Sequence, residues 1–174
     1  AQCRPPVSWT SSGRSLDGGK LELGAAAKMD AGWHVYSQFI GSDGPMPTAF
    51  KLPESKDRKT EGPVREPKPI KEFDKNFGME LAYFAKKADF VIAAQRISPK
   101  AFTYTAEVEF MVCDDERCLP PDYVNLVFKV PAAPAAGATA SPTDADASTG
   151  TDPAAKTPTT EAPADEATPA EEPA

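Results

Sequence analysis

Cysteine and histidine are scarce in this chain of 174 residues, which has three cysteines and one histidine. A structural zinc site takes four Cys or His ligands, and only Cys113 and Cys118 lie close together, whereas Cys3 and His34 are distant. This count argues against a metal site. A Cys–His hydrolase would need the single histidine beside a thiol, with an oxyanion hole that no motif announces. We therefore expect His34 to be a surface or hydrogen-bonded side chain.

Excess positive charge and long apolar runs are also missing. Residues 1–130 are formally neutral, and residues 131–174 carry eight acidic residues and one basic residue, which accounts for the whole net charge of −7. A neutral body without a basic stripe argues against nucleic acid as a partner. The longest apolar run, FVIAA at 90–94, is far shorter than the roughly 20 residues that span a bilayer. A membrane is therefore expected to be involved only through a missing or separate segment.

The two ends of the sequence suggest export and a tail. The opening AQC is the form expected of a secreted protein after its leader has been cleaved. After residue 130 the chain has no Leu, Ile, Val, Met, Cys or aromatic residue and consists almost entirely of Ala, Pro, Thr, Asp and Glu. Such a segment buries too little apolar surface to offset an ordering cost of about 1–2 kcal/mol per residue. We predict a folded domain over residues 1–130 and a disordered acidic linker or tail over residues 131–174.

The folded region alternates apolar and polar residues with the period of two that is typical of strands. Gly-, Pro- and Asp-rich turn segments separate the alternating stretches. In WHVYSQF, Val35 lies on one face, and His34 and Tyr36 lie on the other. KNFGMELAYFAKKA, whose propensities would permit a helix, is read as strand–loop–strand. The pattern predicts an all-β, immunoglobulin-like β-sandwich of about seven to eight strands. The candidate strands are KLELGAAAKM, WHVYSQF, TAFKL, ELAYF, ADFVIAA, FTYTAEVEFMV and YVNLVFKV.

The segment MVCDDERCLPP places two cysteines at the tip of a predicted hairpin, between the last two strands. Two cysteines that flank such a tip come close enough to form a disulfide. A bond that closes so short a loop stabilises a protein by only about 2 kcal/mol, which weakens a purely structural role. The residues themselves leave two interpretations open: a structural disulfide or a redox-active pair.

The charges between the cysteines distinguish the two sulfurs. Asp114, Asp115 and Glu116 disfavour a neighbouring thiolate, whereas Arg117 next to Cys118 favours one. We therefore expect Cys118 to be the better nucleophile. Because neither thiol lies at a helix N-terminus, we expect exchange with a docked partner rather than indiscriminate reaction in solution.

Four segments together resemble a known family: GWHVYS, GPMPTAF, FDKNFGMELAYF and MVCDDERCLPPDYVNL. They are similar to the N-terminal periplasmic domain of the thiol:disulfide interchange protein DsbD, over roughly residues 6–130. That family has an immunoglobulin-like fold and transfers electrons from a membrane-embedded segment and a thioredoxin-like domain to periplasmic disulfide isomerases and cytochrome c maturation factors. This chain has four residues between its cysteines, one fewer than the best-known members, and Leu119 stands where Tyr is common.

The resemblance implies a role for each site residue. Cys118 matches the catalytic cysteine that exchanges with partners, and Cys113 matches the one that closes the intramolecular disulfide. Phe77 matches an aromatic residue of a cap loop that shields the pair, with Asp74 as its acidic neighbour; Phe73 is the second candidate for the cap.

The resemblance also implies the setting of the reaction. The expected function is protein-disulfide reduction in the periplasm without a metal or organic cofactor. A thioredoxin-like protein or domain would donate the electrons, and periplasmic disulfide-bearing proteins would accept them. The alternative is an immunoglobulin-like binding module in which the disulfide is inert.

Overall fold

The described chain is built almost entirely of antiparallel strands. The computed structural model describes residues 4–134, and no helix within that range is long and apolar enough to cross a membrane. A short 3-10 helix, Asp17–Gly19, joins the first two strands. The strands of the described residues are β1 (Val7–Ser15), β2 (Lys20–Met29), β3 (His34–Tyr36), β4 (Ala49–Lys51), β5 (Arg58–Thr60), β6 (Ile70–Asp74), β7 (Met79–Ala85), β8 (Lys87–Arg96), β9 (Phe102–Phe110), β10 (Val112–Cys113) and β11 (Asp122–Val130).

The strands form three hydrogen-bonded sheets. Their orders are β1-β2-β8-β5, β10-β3-β7-β6 and β11-β9-β4. The longest ladders join β2 to its two neighbours and β9 to β11. The predicted all-β, immunoglobulin-like class is confirmed, with eleven strands in residues 4–134 where about seven to eight were expected, because several are short. The stretch from residue 75 to residue 88, predicted as strand–loop–strand rather than helix, is a turn, then β7, a one-residue break and the start of β8.

One hydrophobic core joins the three sheets. In β2, alternate residues such as Leu21 and Leu23 are fully buried, as the period of two predicts. Phe90 of β8 and Phe128 of β11 are also fully buried. The ring of Trp9 stacks on that of Phe90, with 5.8 Å between the ring centroids. Burial of a side chain of this kind contributes about 1.5–3 kcal/mol, so these inward-facing residues hold the sheets together.

The chain changes sheet just before the first clustered cysteine. The β9–β11 ladder ends at the pair Phe110 and Asp122, and after Met111 the chain joins β3 of the neighbouring sheet as β10. Val112 and Cys113 therefore belong to the sheet of β3, whereas the sequence predicts only a hairpin tip at this point. The two prolines after Leu119 have no N–H to donate, which explains why the β9–β11 ladder does not extend further.

The alternation of apolar residues does not predict β1, β5 or β6. Strand β1 reads VSWTSSGRS, in which only Val7 is buried and Trp9 packs partly buried against the core, so β1 is held mainly by its nine backbone pairs with β2. Strands β5 and β6 are short and mostly polar. The predicted tail over residues 131–174 lies outside the described residues apart from 131–134, and Cys3 also lies outside them.

Candidate redox site

Cys113 and Cys118 form the predicted disulfide. Their sulfurs are bonded and their Cα atoms lie 4.0 Å apart, and the two residues face each other across an isolated antiparallel bridge. The Asp114 N–H donates to the Arg117 carbonyl at 2.8 Å, and the Leu119 N–H donates to the Val112 carbonyl at 2.9 Å. The bond therefore links two adjacent backbone segments rather than two sheets.

The loop between the cysteines is held by the Asp114 side chain. Its Oδ1 accepts the backbone N–H groups of Glu116 at 2.9 Å and Arg117 at 2.8 Å. The Glu116 N–H holds the pKa of Asp114 below its ordinary value; burial opposes this effect, and Arg117 adds smaller contributions that lower the pKa further. The carboxylate is therefore ionised at neutral pH, and it closes this turn with bonds that do not involve the sulfurs.

The two cysteines differ in their exposure to solvent. Cys113 is fully buried, whereas Cys118 is partly exposed. Cys113 belongs to a second, smaller hydrophobic cluster on the other face of β3, with the buried side chains of Tyr36 and Leu81. Phe77 and Cys118 pack against this second cluster. In this arrangement only the Cys118 sulfur can be reached by a thiolate of another protein, and only the Cys118 sulfur can itself reach a disulfide of another protein.

The register of the sheet brings His34 next to the disulfide. His34 pairs with Cys113 on one side and with Ala85 on the other, and Cys113 pairs in turn with Cys118. Directly opposed residues of antiparallel strands project their side chains to the same face, with Cβ atoms about 4.5–5.5 Å apart. The side chains of Cys118, Cys113 and His34 therefore form one row across the sheet. Sequence analysis identified the faces of β3 but not this partner.

His34 and Tyr36 form a buried polar network with Asp74 of β6. The Tyr36 hydroxyl donates to Asp74 Oδ2 at 2.6 Å, and His34 Nε2 lies 3.2 Å from the hydroxyl oxygen and 3.8 Å from the same carboxylate oxygen. Burial, with the added effect of Asp74, raises the pKa of Tyr36, so its hydroxyl keeps its proton. His34 thus matches the expected hydrogen-bonded side chain.

Asp74 also organises the turn that follows it. Its Oδ1 accepts the backbone N–H groups of Asn76 at 2.8 Å and Phe77 at 3.3 Å, and its carbonyl accepts the Gly78 N–H at 2.8 Å. Gly78 has a φ of 65°, a conformation that glycine adopts without strain. The Asn76 side-chain amide donates to the Asp114 carbonyl at 3.0 Å, so this turn is tied directly to the cysteine loop.

The two candidate cap residues lie in different environments. Phe77 is half-buried and packs against the second cluster, with its ring centroid 6.1 Å from that of Tyr36 in an edge-on geometry. Phe73, on the preceding strand, is 66% exposed. Phe77 is thus the one of the two that shares a cluster with the cysteines, and its role as a cap stays a prediction.

Arg117 does not stand alone beside Cys118. Its guanidinium lies 5.6 Å from the centre of the Trp33 ring, and its Nε is 3.6 Å from Asp114 Oδ2. Since this cation is already paired with a carboxylate and an aromatic face, its effect on a Cys118 thiolate is smaller than the sequence alone suggests.

A pocket of about 220 Å³ opens beside the network. In residues 4–134, no group of three or more His, Cys, Asp or Glu side chains is arranged to hold a metal ion. Because His34 forms part of the pocket wall, the pocket gives solvent access to the edge of its imidazole ring. Its wall includes His34, Tyr83, Glu72, Asp74, Asp114 and Asp115.

Comparisons with known proteins give a family match and several structural neighbours. The family model described as "Thiol:disulfide interchange protein DsbD, N-terminal" matches residues 9–129. No curated protein matches the chain. Among solved structures, the reduced N-terminal domain of Neisseria meningitidis DsbD is 13% identical, with a TM-score of 0.46, and the match covers 70% of this chain and 84% of that one. The N-terminal periplasmic domain of ScsB from Proteus mirabilis is 16% identical, with a TM-score of 0.47, and the match covers 69% of this chain and 44% of that one.

Proposed function

The chain belongs to the family of the N-terminal domain of the thiol:disulfide interchange protein DsbD, and from this premise we propose that Cys113 and Cys118 are its working dithiol–disulfide pair. The observation that carries the proposal is the asymmetry of the disulfide, which has one fully buried sulfur and one partly exposed sulfur in a single short loop. A relay of this kind needs one sulfur that a partner reaches and a second that only the first one reaches.

The reaction transfers two electrons to the partner. In the reduced domain the Cys118 thiolate attacks a partner disulfide, forming a mixed disulfide and releasing one partner sulfur as a thiolate, which takes up a proton. The Cys113 thiol then loses its proton and its sulfur attacks Cys118, which releases the second partner sulfur. The domain leaves oxidised, with its Cys113–Cys118 bond formed, and the partner leaves with two thiols.

The partners follow from the same premise. The electron donor is a thioredoxin-like domain or protein, in the same longer protein or separate, whose dithiol reduces Cys113–Cys118 by the reverse steps. The acceptors are disulfide-bearing proteins of the periplasm, among them disulfide isomerases and cytochrome c maturation factors. The reaction needs sulfur chemistry alone, and the periplasm is the compartment in which such disulfides persist.

The reduction potential of the pair tests this function directly. We expect a value between about −270 and −120 mV, the range of disulfides that are made and broken in exchange. The full chain would carry Cys3→Ser, so that each molecule has either no free thiol or two, and would be equilibrated in thiol buffers before the thiols are alkylated and counted. A value below about −300 mV, as in structural disulfides, would replace the relay with the binding module.

The cap role of Phe77 leads to a second test. If its ring shields the disulfide, Phe77→Ala speeds reduction of the bond by dithiothreitol about tenfold, because the ring no longer blocks the approach of the reductant. A tenfold change in rate corresponds to a barrier lower by about 1.4 kcal/mol. Phe73→Ala is the matched control, since Phe73 is mostly exposed, and should leave the rate unchanged. Equal rates for the two variants would remove Phe77 from the site, and a faster Phe73→Ala would transfer the cap to Phe73.

A further inference from the structure

The row of side chains across the sheet leads to an inference about His34. The fully buried Cys113 lies between two direct neighbours in register, Cys118 on one side and His34 on the other. When Cys113 attacks a mixed disulfide on Cys118, its proton has to leave a site without solvent contact. A thiolate formed there without a proton acceptor would be a buried, uncompensated charge, which is costly. The imidazole is the titratable side chain directly opposite.

The hydrogen bonds of the network fix the tautomer of His34. Tyr36 has one hydroxyl proton, and it donates that proton to Asp74 at 2.6 Å. The contact of 3.2 Å between His34 Nε2 and the Tyr36 oxygen is therefore an N–H donated by the imidazole. In a neutral imidazole one nitrogen donates and the other accepts, so Nδ1 carries the free lone pair. The network thus leaves Nδ1 as the nitrogen that can accept a proton.

The groups around His34 set its charge. Asp74 faces it from β6, Asp114 and Asp115 from the cysteine loop, and Tyr83 from β7, with 4.8 Å between the two ring centroids. Burial lowers the pKa of His34, and the three carboxylates oppose that effect in part. At neutral pH the imidazole is therefore unprotonated and able to accept a proton. The pocket beside it leads from the ring to solvent.

We propose that His34 accepts the proton of the Cys113 thiol as Cys113 attacks the mixed disulfide on Cys118, and returns a proton to Cys113 when the disulfide is reduced. This inference rests on the exchange function proposed above. In the forward step the S–H bond of Cys113 breaks and its proton moves to Nδ1. The electron pair of the Cys113 sulfur forms the bond to Cys118, and the bond between Cys118 and the partner sulfur breaks. The partner sulfur leaves with the electron pair of the broken bond as a thiolate, and the imidazolium passes the proton to it or to solvent.

The experiment follows the two steps separately with one probe. Full-length chain carrying Cys3→Ser is reduced and mixed rapidly with dithiobis(nitrobenzoate), which releases one coloured thiolate when Cys118 attacks and a second when Cys113 resolves the mixed disulfide. The measurement is repeated for His34→Gln, whose amide still donates to Tyr36. Tyr83→Phe is the matched control, because its ring also lies against His34 but its hydroxyl donates to Glu72.

The expected result is specific to one step and to one pH range. At pH 7 His34→Gln slows the second release about tenfold or more, since a general base typically contributes more than this to a rate, and leaves the first release within about twofold. The difference between the variant and the parent chain narrows at alkaline pH, because the thiol then ionises without help. Tyr83→Phe behaves as the parent chain at every pH.

Two results would overturn the proposal. A second release that is unchanged in His34→Gln excludes His34 as the proton acceptor. Equal slowing of both releases at every pH assigns His34 a structural role only. A parent chain that releases no thiolate in either step contradicts the exchange function itself, and that failure is recognised before any His34 variant is compared.

Discussion

Replacement of Cys118 by alanine abolishes exchange, whereas replacement of Cys113 stops the reaction one step later and leaves the partner covalently attached. The difference follows from exposure: Cys118 is partly exposed and Cys113 is fully buried, so Cys113 reaches a partner only through Cys118. We expect the rate of reduction of a disulfide-bearing protein to fall to the uncatalysed level in both variants. Only Cys113→Ala accumulates the mixed disulfide.

The measurement is mass spectrometry under non-reducing conditions after mixing each reduced variant with an excess of oxidised partner. A Cys3→Ser background removes the third thiol, and the parent chain in that background is the positive control. If Cys118→Ala instead formed the stable adduct, the two roles would be reversed. If both variants still turned over, the relay itself would be wrong.

The second large effect is expected on stability, from Asp74→Ala. One oxygen of this carboxylate accepts the Tyr36 hydroxyl and the other accepts two N–H groups of the following turn, and its side chain is only 6% exposed. Hydrogen bonds to charged groups contribute about 1.5–3 kcal/mol each. The Tyr36 hydroxyl still has His34 within hydrogen-bond distance in this variant, which offsets part of the loss. We therefore expect the free energy of unfolding to fall by about 3 kcal/mol.

Urea denaturation of the oxidised chain measures this loss. Glu72→Ala is the matched control, because Glu72 lies on the same strand, is exposed, and has a hydrogen bond to Tyr83; it should cost less than about 1 kcal/mol. Asp74→Asn separates the two contacts, since its amide oxygen still accepts the turn N–H groups. An Asp74→Ala variant no less stable than Glu72→Ala would show that Asp74 does not hold the site together.

The sequence predicts the strands that bury one face and fails for those that do not. Strands β2, β8, β9 and β11 alternate clearly and appear where the pattern predicts them. Strand β1 is polar along most of its length and forms because β2 offers a complete set of backbone partners. An alternating pattern of apolar residues cannot reveal a strand that is held mainly by backbone pairing with its neighbour.

The candidate site divides in the same way. The proximity of the two cysteines and the choice of Cys118 as the better nucleophile follow from a local motif, and Phe77 follows from a family resemblance. The difference in exposure between the two sulfurs appears only in the structure. The row that joins Cys113 to His34 depends on the register between β10 and β3, strands that are far apart in the chain. That register arises because the chain leaves the β9–β11 ladder and pairs with β3 after Met111. The spacing of residues along the sequence does not reveal such a change of strand partner.

The turn closed by Asp114 determines how the domain exchanges electrons with its surroundings. Because a carboxylate fixes residues 114–117 through backbone N–H groups, the loop is already ordered when the sulfur–sulfur bond opens, and reduction releases little conformational entropy. The oxidised and reduced forms should then have nearly the same shape, so a partner would bind both almost equally well. Electrons would consequently flow in whichever direction the potentials of donor and acceptor dictate, because no change of shape would make either direction irreversible.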